Sequence, residues 1–401
     1  MPGDPQYSPK ILMVAPMPTP GTYIGGIAVL LSHLVQQWNL PYELVTYNSN
    51  LGPRDYGSVN KLNPANVRRF FGNAAGLRRT VRREQPDIVH FHTSRHLAML
   101  KDLLLVAVLK ANRRCKVVGH IHHASYQSLL VGGSAPGRAF QIQLLMTAFD
   151  RMILMSENIK QELSLKLRPA GRRRFETKAR VLHNFTPLPE WQEHYFVRSG
   201  PVTLFFIGNV GRQKGIHDLI ECAAELKRAG MEFKLVLAGP FDSPVEGEGM
   251  KHRVRSLGLG HFIEFTGPVF GTQKAALFQA ADIFVLPSYG EGVPLSMLEA
   301  MSYRLPVVAT AVGGIPEILR DQETGLLVKP GDVSGLAAAI RKLLLSRELR
   351  AKLGRAGRER VENFHSPARF LNGLELVYRE LSEAPAQVSR LAFDVSGTTR
   401  A

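Results

Sequence analysis

Short apolar runs, each followed by a stretch with helical spacing, recur along almost the whole chain, and this alternation restricts the fold more than any other feature. Strands are expected at 10–15, 42–47, 87–91, 116–121 and 152–155, with helices at 27–38, 64–83, 95–110 and 138–150. Such a β-α-β rhythm calls for a parallel sheet with helices on both faces. It breaks at 186–200, where Pro187, Pro189, Ser199 and Gly200 interrupt it. It resumes with strands at 202–207, 232–238, 261–265, 283–286, 306–309 and 326–328, and with helices that include 214–229, 297–303, 333–345 and 348–362. The expected fold is therefore α/β, with two Rossmann-like parallel-sheet domains facing a central cleft between their carboxyl edges, where ligands of such sheets usually sit. The division is 1–195 for the first domain and 196–364 for the second. A C-terminal helix at 365–383 is expected to pack back on the first domain, and 384–401 to be a disordered tail, because apolar periodicity fades there.

A chain of 401 residues suffices for two cores, and 45% apolar with 21% charged residues describes an ordinary soluble protein. The apolar run 11–16 is too short for a secretory leader and lacks a basic head. Lys101 and Asp102 interrupt the greasiest segment, 97–109, which fails as a membrane span. Cys115 and Cys222 fall in different halves and give neither a disulfide framework nor a zinc spacing, so a reducing cytoplasm is the expected setting. The net charge of +16 is uneven: residues 1–200 hold 26 basic against 12 acidic side chains, and 201–401 hold 24 against 22. Arg68-Arg69, Arg78-Arg79, Arg82-Arg83, Arg113-Arg114 and Arg172-Arg173-Arg174 suit an anionic partner such as phosphate-bearing lipid or an acidic membrane surface. A solvated basic face is the plain alternative. Nucleic acid is not expected, because aromatics do not interleave the basic runs and no nucleic-acid-binding signature occurs.

The chemistry concentrates in the second half. Glu291 and Glu299 bracket a turn (Gly292, Pro294) and the opening of a helix. Between them the amides of Leu295 and Ser296 lie at a helix mouth, where the dipole favours an anion. A phosphate there would be flanked by carboxylates able to hold hydroxyl groups, as a nucleotide sugar requires. Gly208-Asn209-Val-Gly211-Arg212-Gln-Lys214-Gly215 forms a glycine-rich turn between a strand and a helix, with two cations fit to neutralise a leaving diphosphate. In the first half, Gly25-Gly26 opens a helix and would let a diphosphate approach the backbone, although a plain turn explains the pair equally well. Neither G-x-G-x-x-G after this strand nor a P-loop occurs. His90 and His92 share one strand face, as do His120 and His122; without a carboxylate or cysteine at ligand spacing, hydrogen bonding to sugar or acceptor suits them better than a metal. A structural role for any one of them is as plausible. The apolar tip Leu129-Leu130-Val131 could dip into a bilayer surface or be a buried loop.

With these motifs the chain resembles the GT-B fold retaining glycosyltransferases of the family 4 type. The resemblance covers most of 10–380 and is strongest over 202–332, where Gly208…Lys214-Gly215, Ala238-Gly239-Pro240, Phe265-Thr-Gly267-Pro-Val269, Glu291-x7-Glu299 and Gly313-Gly314-Ile-Pro-Glu317 follow in family order. It implies that Glu291 touches the donor sugar, Glu299 the nucleotide ribose, the Leu295 and Ser296 amides and Lys214 the diphosphate, and the segment Gly267–Gly271, with the donor-binding candidate Val269, the base. His122 would lie near the reacting sugar. Where the family usually has Arg after the glycine ending the first strand of the second domain, this chain has Asn209, and Arg212 is the candidate replacement. Tyr303-Arg304 stands where a small residue and glycine are usual, which implies an effect on packing only.

The expected activity is transfer of a sugar from a nucleoside diphosphate sugar to a lipid-linked or polysaccharide acceptor, with retention, at the cytoplasmic membrane face. Such transfer would serve cell-surface polysaccharide or glycolipid assembly. No cofactor or metal is expected, since Lys214, Arg212 and the helix-mouth amides supply the positive charge. Transfer to a small soluble acceptor is one alternative. A catalytically weak nucleotide-sugar-binding protein, suggested by Asn209, is another.

Overall fold

The computed structural model describes residues 8–17, 26–49, 64–93, 97–110, 115–122, 135–190 and 200–382. Gly25, the 129–131 tip and the 384–401 tail lie outside them. The chain divides into two compact units: Met1–Asn184 with Pro367–Ala401, and Phe185–Ser366.

The first unit runs β1 (Lys10–Ala15), α1 (Gly26–Gln36), β2 (Glu43–Asn48), α2 (Pro64–Glu84), β3 (Ile88–Thr93), α3 (Leu97–Lys110), β4 (Lys116–Ile121), α4 (Ala135–Ala148), β5 (Arg151–Leu154), α5 (Glu157–Leu165), α6 (Pro169–Lys178) and β6 (Ala179–Val181). Its six strands pair in the order β2-β1-β3-β4-β5-β6, all parallel. Strands covered on both faces are apolar throughout, and Ile11, Leu12, Met13 and Val14 are fully buried. One core joins Leu12 and Val14 to Leu77 and Val81 of α2, Leu105 and Leu109 of α3 and Phe149.

The second unit comprises β7 (Val202–Ile207), a single 3-10 turn (Arg212–Lys214), α7 (Ile216–Arg228), β8 (Phe233–Ala238), α8 (Pro244–Ser256), β9 (Ile263–Gly267), α9 (Gly271–Ala280), β10 (Ile283–Leu286), α10 (Leu295–Ser302), β11 (Val307–Thr310), α11 (Ile315–Ile318), β12 (Leu326–Val328), α12 (Val333–Leu345) and α13 (Arg347–Phe364). Its parallel sheet has the order β12-β11-β10-β7-β8-β9. The order reverses between β7 and β10, which creates a switch point outside their carboxyl ends. α14 (Pro367–Ser382) then returns to the first unit. It buries Phe370, Leu371, Leu374, Val377 and Tyr378, while Glu380 accepts from Arg151 Nε at 2.7 Å and Arg180 Nε at 2.9 Å.

Two details depart from the sequence pattern. The helix expected from 214 starts at Ile216, because Gly215 turns into the left-handed region (φ 69°) between the 3-10 turn and α7. Arg304 also has a left-handed φ, 55°. It sits just beyond the end of α10, where its amide bonds the Met301 carbonyl and that of Leu305 bonds Ala300. This is a glycine-type helix termination filled by arginine, so the departure at Tyr303-Arg304 carries backbone strain as well as a packing change.

Candidate active site

Lys214 follows β7 and Glu291 follows β10, so the two residues straddle the switch point of the second sheet. The close approach of their loops depends on Gly215: a Cβ there would lie 2.0 Å from the Pro287 carbonyl oxygen. The Tyr289 amide donates to the Gln213 carbonyl at 3.0 Å and fixes the two loops together. Lys214 Nζ then meets Glu291 Oε1 at 2.5 Å, and Ser288 Oγ donates to the same oxygen at 2.7 Å. Glu291 is only 7% exposed, and the ammonium beside it offsets the cost of burying its charge.

α10 begins directly after this pair, with Pro294 as its cap, which makes no side-chain hydrogen bond to the first turn. The first intrahelical acceptor, the Pro294 carbonyl, is taken by Leu298. The amides of Leu295 and Ser296 therefore belong to the first turn, whose N–H groups have no acceptor within the helix. One turn further in, Glu299 Oε1 accepts from Lys274 Nζ at 2.5 Å. Burial pushes the Glu299 carboxyl above its ordinary value, opposed by the Lys274 charge. Lys274 was not singled out from sequence, because nothing local to α9 marks it and its partner lies 25 residues away.

The remaining expected residues are distributed as follows. Arg212 is exposed, and its amide donates to Glu246 Oε1 at 2.9 Å. Asn209 is half-buried in the loop after β7, and Val269 is buried in the segment between β9 and α9. The strand-end loops are laced by backbone bonds from Gly208 to Ala238, Val210 to Pro240 and Gly239 to Gly267. Gly26 is the first residue of α1 in the other unit.

His122 is half-buried at the end of β4, also in the first unit. Its Nε2 lies 2.8 Å from His92 Nδ1. His90 and His92 alternate onto one face of β3, and the register pairs His92 directly with His120 of β4. The four imidazoles form one stacked group, with centroids 4.1 Å apart for His120–His122 and 4.4 Å for His90–His92. His90 Nδ1 lies 2.7 Å from the Tyr378 hydroxyl of α14. Burial holds His90 neutral by lowering its pKa to about 3, and it drives His92 and His120 down in the same direction.

Two six-stranded parallel Rossmann-like sheets, with a helix mouth flanked by lysine–carboxylate pairs at the switch point of the second, are the features of a GT-B glycosyltransferase. Comparisons with known proteins agree. The family model "Glycosyltransferase Family 4" matches residues 24–187, and "Glycosyl transferases group 1" matches 189–360. The chain belongs to the GT-B glycosyltransferases of the family 4 type. It is similar to an uncharacterized glycosyltransferase of Methanocaldococcus jannaschii, with 27% identity over 369 residues, covering 90% of this chain and 96% of that one. The fold matches sucrose-phosphate synthase from Thermosynechococcus elongatus at a TM-score of 0.71 with 20% identity, covering 93% and 99% of the two chains. It also matches Anabaena HepE in complex with UDP-glucose at 0.68 with 15% identity, again covering 93% and 99%.

Proposed function

We propose that this glycosyltransferase moves a sugar from a nucleoside diphosphate sugar to a lipid-linked or polysaccharide acceptor, with retention at the anomeric carbon. The observation that carries the donor reading is the pairing of Lys214 with Glu291 and of Lys274 with Glu299 on either side of the α10 mouth. An incoming diphosphate competes for Lys214 and adds the first-turn amides of Leu295 and Ser296 as donors. Glu291 then accepts from sugar hydroxyls, and Glu299 from the ribose. The fold neighbour that holds UDP-glucose supports a nucleotide-sugar donor. In the transfer step the bond from the anomeric carbon to the diphosphate oxygen breaks and a bond to the acceptor oxygen forms on the same face. The acceptor's proton passes to the leaving phosphate oxygen, and Lys214 with the helix-mouth amides stabilises the negative charge that develops there. This charge is neutralised without a metal ion.

The acceptor reading rests on the first unit. Helix α2 buries Leu77 and Val81 and exposes Arg68, Arg69, Arg78, Arg79, Arg82 and Arg83. Val67, Phe71, Arg78 and Arg82 fall on one stripe, and Phe71 is 65% exposed. A basic helix with an outward aromatic suits the surface of an anionic bilayer, where a lipid-linked acceptor would be met. No helix of the described residues is long and apolar enough to cross a membrane. The protein is expected to sediment with vesicles containing anionic lipid, less so at high salt, and the Arg78→Glu/Arg82→Glu variant to lose roughly tenfold or more of that affinity. A chain that stays in the supernatant at low salt would leave the soluble-acceptor alternative in place.

The donor reading is tested by titrating UDP-, GDP-, ADP- and TDP-sugars against the full chain while following its thermal midpoint. Saturation at a hundredfold above Kd should stabilise the folded state by about 2.7 kcal/mol, and only for one nucleotide series. The pH dependence supplies a sign. Ribose hydroxyls donate to the ionised Glu299, so binding lowers its raised pKa and releases a proton. Affinity should therefore climb as pH rises through the window just above the ordinary carboxylate range, then level off. In Glu299→Gln this component should be absent. No shift with any donor in wild type would overturn the donor reading.

A further inference from the structure

We infer that His90, His92 and His120 form a transition-metal site in the first unit, with Zn²⁺ as the ion its chemistry favours. The three side chains are 0%, 3% and 0% exposed. One ring nitrogen from each lies within 4.8 Å of the others. Among the described residues, His90 Nε2, His92 Nε2 and both nitrogens of His120 have no hydrogen-bond partner. Four orphaned polar atoms in one cluster are costly, since each loses its water without replacement.

The partnered nitrogens make the stronger case. His90 uses Nδ1 towards the Tyr378 hydroxyl and His92 uses Nδ1 towards His122 Nε2. With a proton on each Nδ1, both rings donate to these partners and keep an Nε2 lone pair that no hydrogen bond uses. Metal-binding histidines are held in this way: the outer nitrogen donates to a fixed partner, which sets the tautomer and aims the inner one. Burial keeps the rings neutral, the state a ligand needs. Three imidazoles without a thiolate or carboxylate fit zinc, and they leave a fourth position for water or an anion. Zinc–nitrogen bonds of about 2.1 Å place tetrahedral ligands roughly 3.4 Å apart. Binding would therefore draw the coordinating nitrogens together by up to roughly 1.4 Å from their 4.8 Å spread. The ion would join β3 to β4 and, through His90 and Tyr378, to α14.

The test is metal content of the full chain purified without a histidine tag, after exposure to Zn²⁺ and removal of the excess. About one ion per chain is expected, and a chelator should lower the thermal midpoint reversibly, because an ion bound only to the folded state adds to its stability. His92→Asn and His120→Asn should each cut bound zinc at least about tenfold, with circular dichroism reporting whether the variant folds. Metal well below one ion per chain, with a midpoint that neither chelator nor Zn²⁺ moves, overturns the inference. So does full occupancy retained in both folded variants. The wild-type chelator measurement decides the matter even if neither variant folds.

Discussion

Lys214→Ala should lower the rate of sugar transfer, or of donor hydrolysis in the absence of acceptor, by about a hundred- to a thousandfold. That range is the usual loss when one preorganised donor to a developing oxyanion is removed. Two effects combine at this position. The ammonium is the cation held at the switch point against Glu291, with a pairing distance of 2.5 Å. Its removal takes charge from the leaving diphosphate. It also leaves the Glu291 carboxylate, 7% exposed, with Ser288 as its remaining partner at 2.7 Å. A buried carboxylate stripped of its cation is itself destabilising, so the loss should appear in kcat as well as in donor affinity. The double variant Lys214→Ala/Glu291→Gln separates the two contributions: it removes the stranded charge and should recover thermal stability without recovering rate. An activity within about threefold of wild type in Lys214→Ala would place the diphosphate elsewhere.

Gly239→Ala should be the most damaging single methyl group in the second unit. Gly239 directly follows β8 at φ 134°, and a Cβ there would lie 1.8 Å from the Gly208 carbonyl oxygen. Backbone strain of this kind costs about 1–3 kcal/mol, and the clash with a main-chain atom adds to it. A loss near 3 kcal/mol would lower the midpoint of a unit this size by roughly 6–12 °C. Gly230→Ala is the control. It has φ 71° with nothing within 4 Å of the added carbon, so strain acts alone there and the fall should be clearly smaller. Equal effects at the two positions would mean that the Gly208–Gly239 contact relaxes easily. Because Asn209 follows Gly208 directly, donor affinity should fall with stability in Gly239→Ala and stay unchanged in Gly230→Ala.

The strands were legible because they are short, apolar and buried on both faces, so their residue types depend little on distant context. β1, β4, β10 and β12 fall on the residues that the sequence marks. Helices α5, α6, α8 and α9 were not singled out, for different reasons. α8 has a readable start in Ser243-Pro244-Val245-Glu246, where Ser243 caps the Glu246 amide. α5 likewise starts behind Ser156, which caps Ile159. α9 has no side-chain cap, and its sequence resembles many small-residue segments. In the candidate site the Glu291–Glu299 spacing already implied a helix mouth between two carboxylates. Their lysine partners are another matter, since pairing across 77 and 25 residues depends on the order in which strands assemble. The alignment of His92 with His120 was hidden for the same reason: register between parallel strands is set by packing, not by either strand alone.

The return of α14 to the first unit has a consequence for synthesis. On the ribosome the chain emerges from its amino terminus, and the first sheet is complete long before Pro367 appears. Until then the surface around Leu182 lacks the helix whose Gly373 packs against it. Arg151 and Arg180 lack Glu380, and His90 lacks the Tyr378 hydroxyl. The second unit is continuous from Phe185 to Ser366. Vectorial synthesis therefore favours a nascent chain in which the later unit closes first, while the earlier one waits with an open apolar seam for a chaperone or its own last helix to cover.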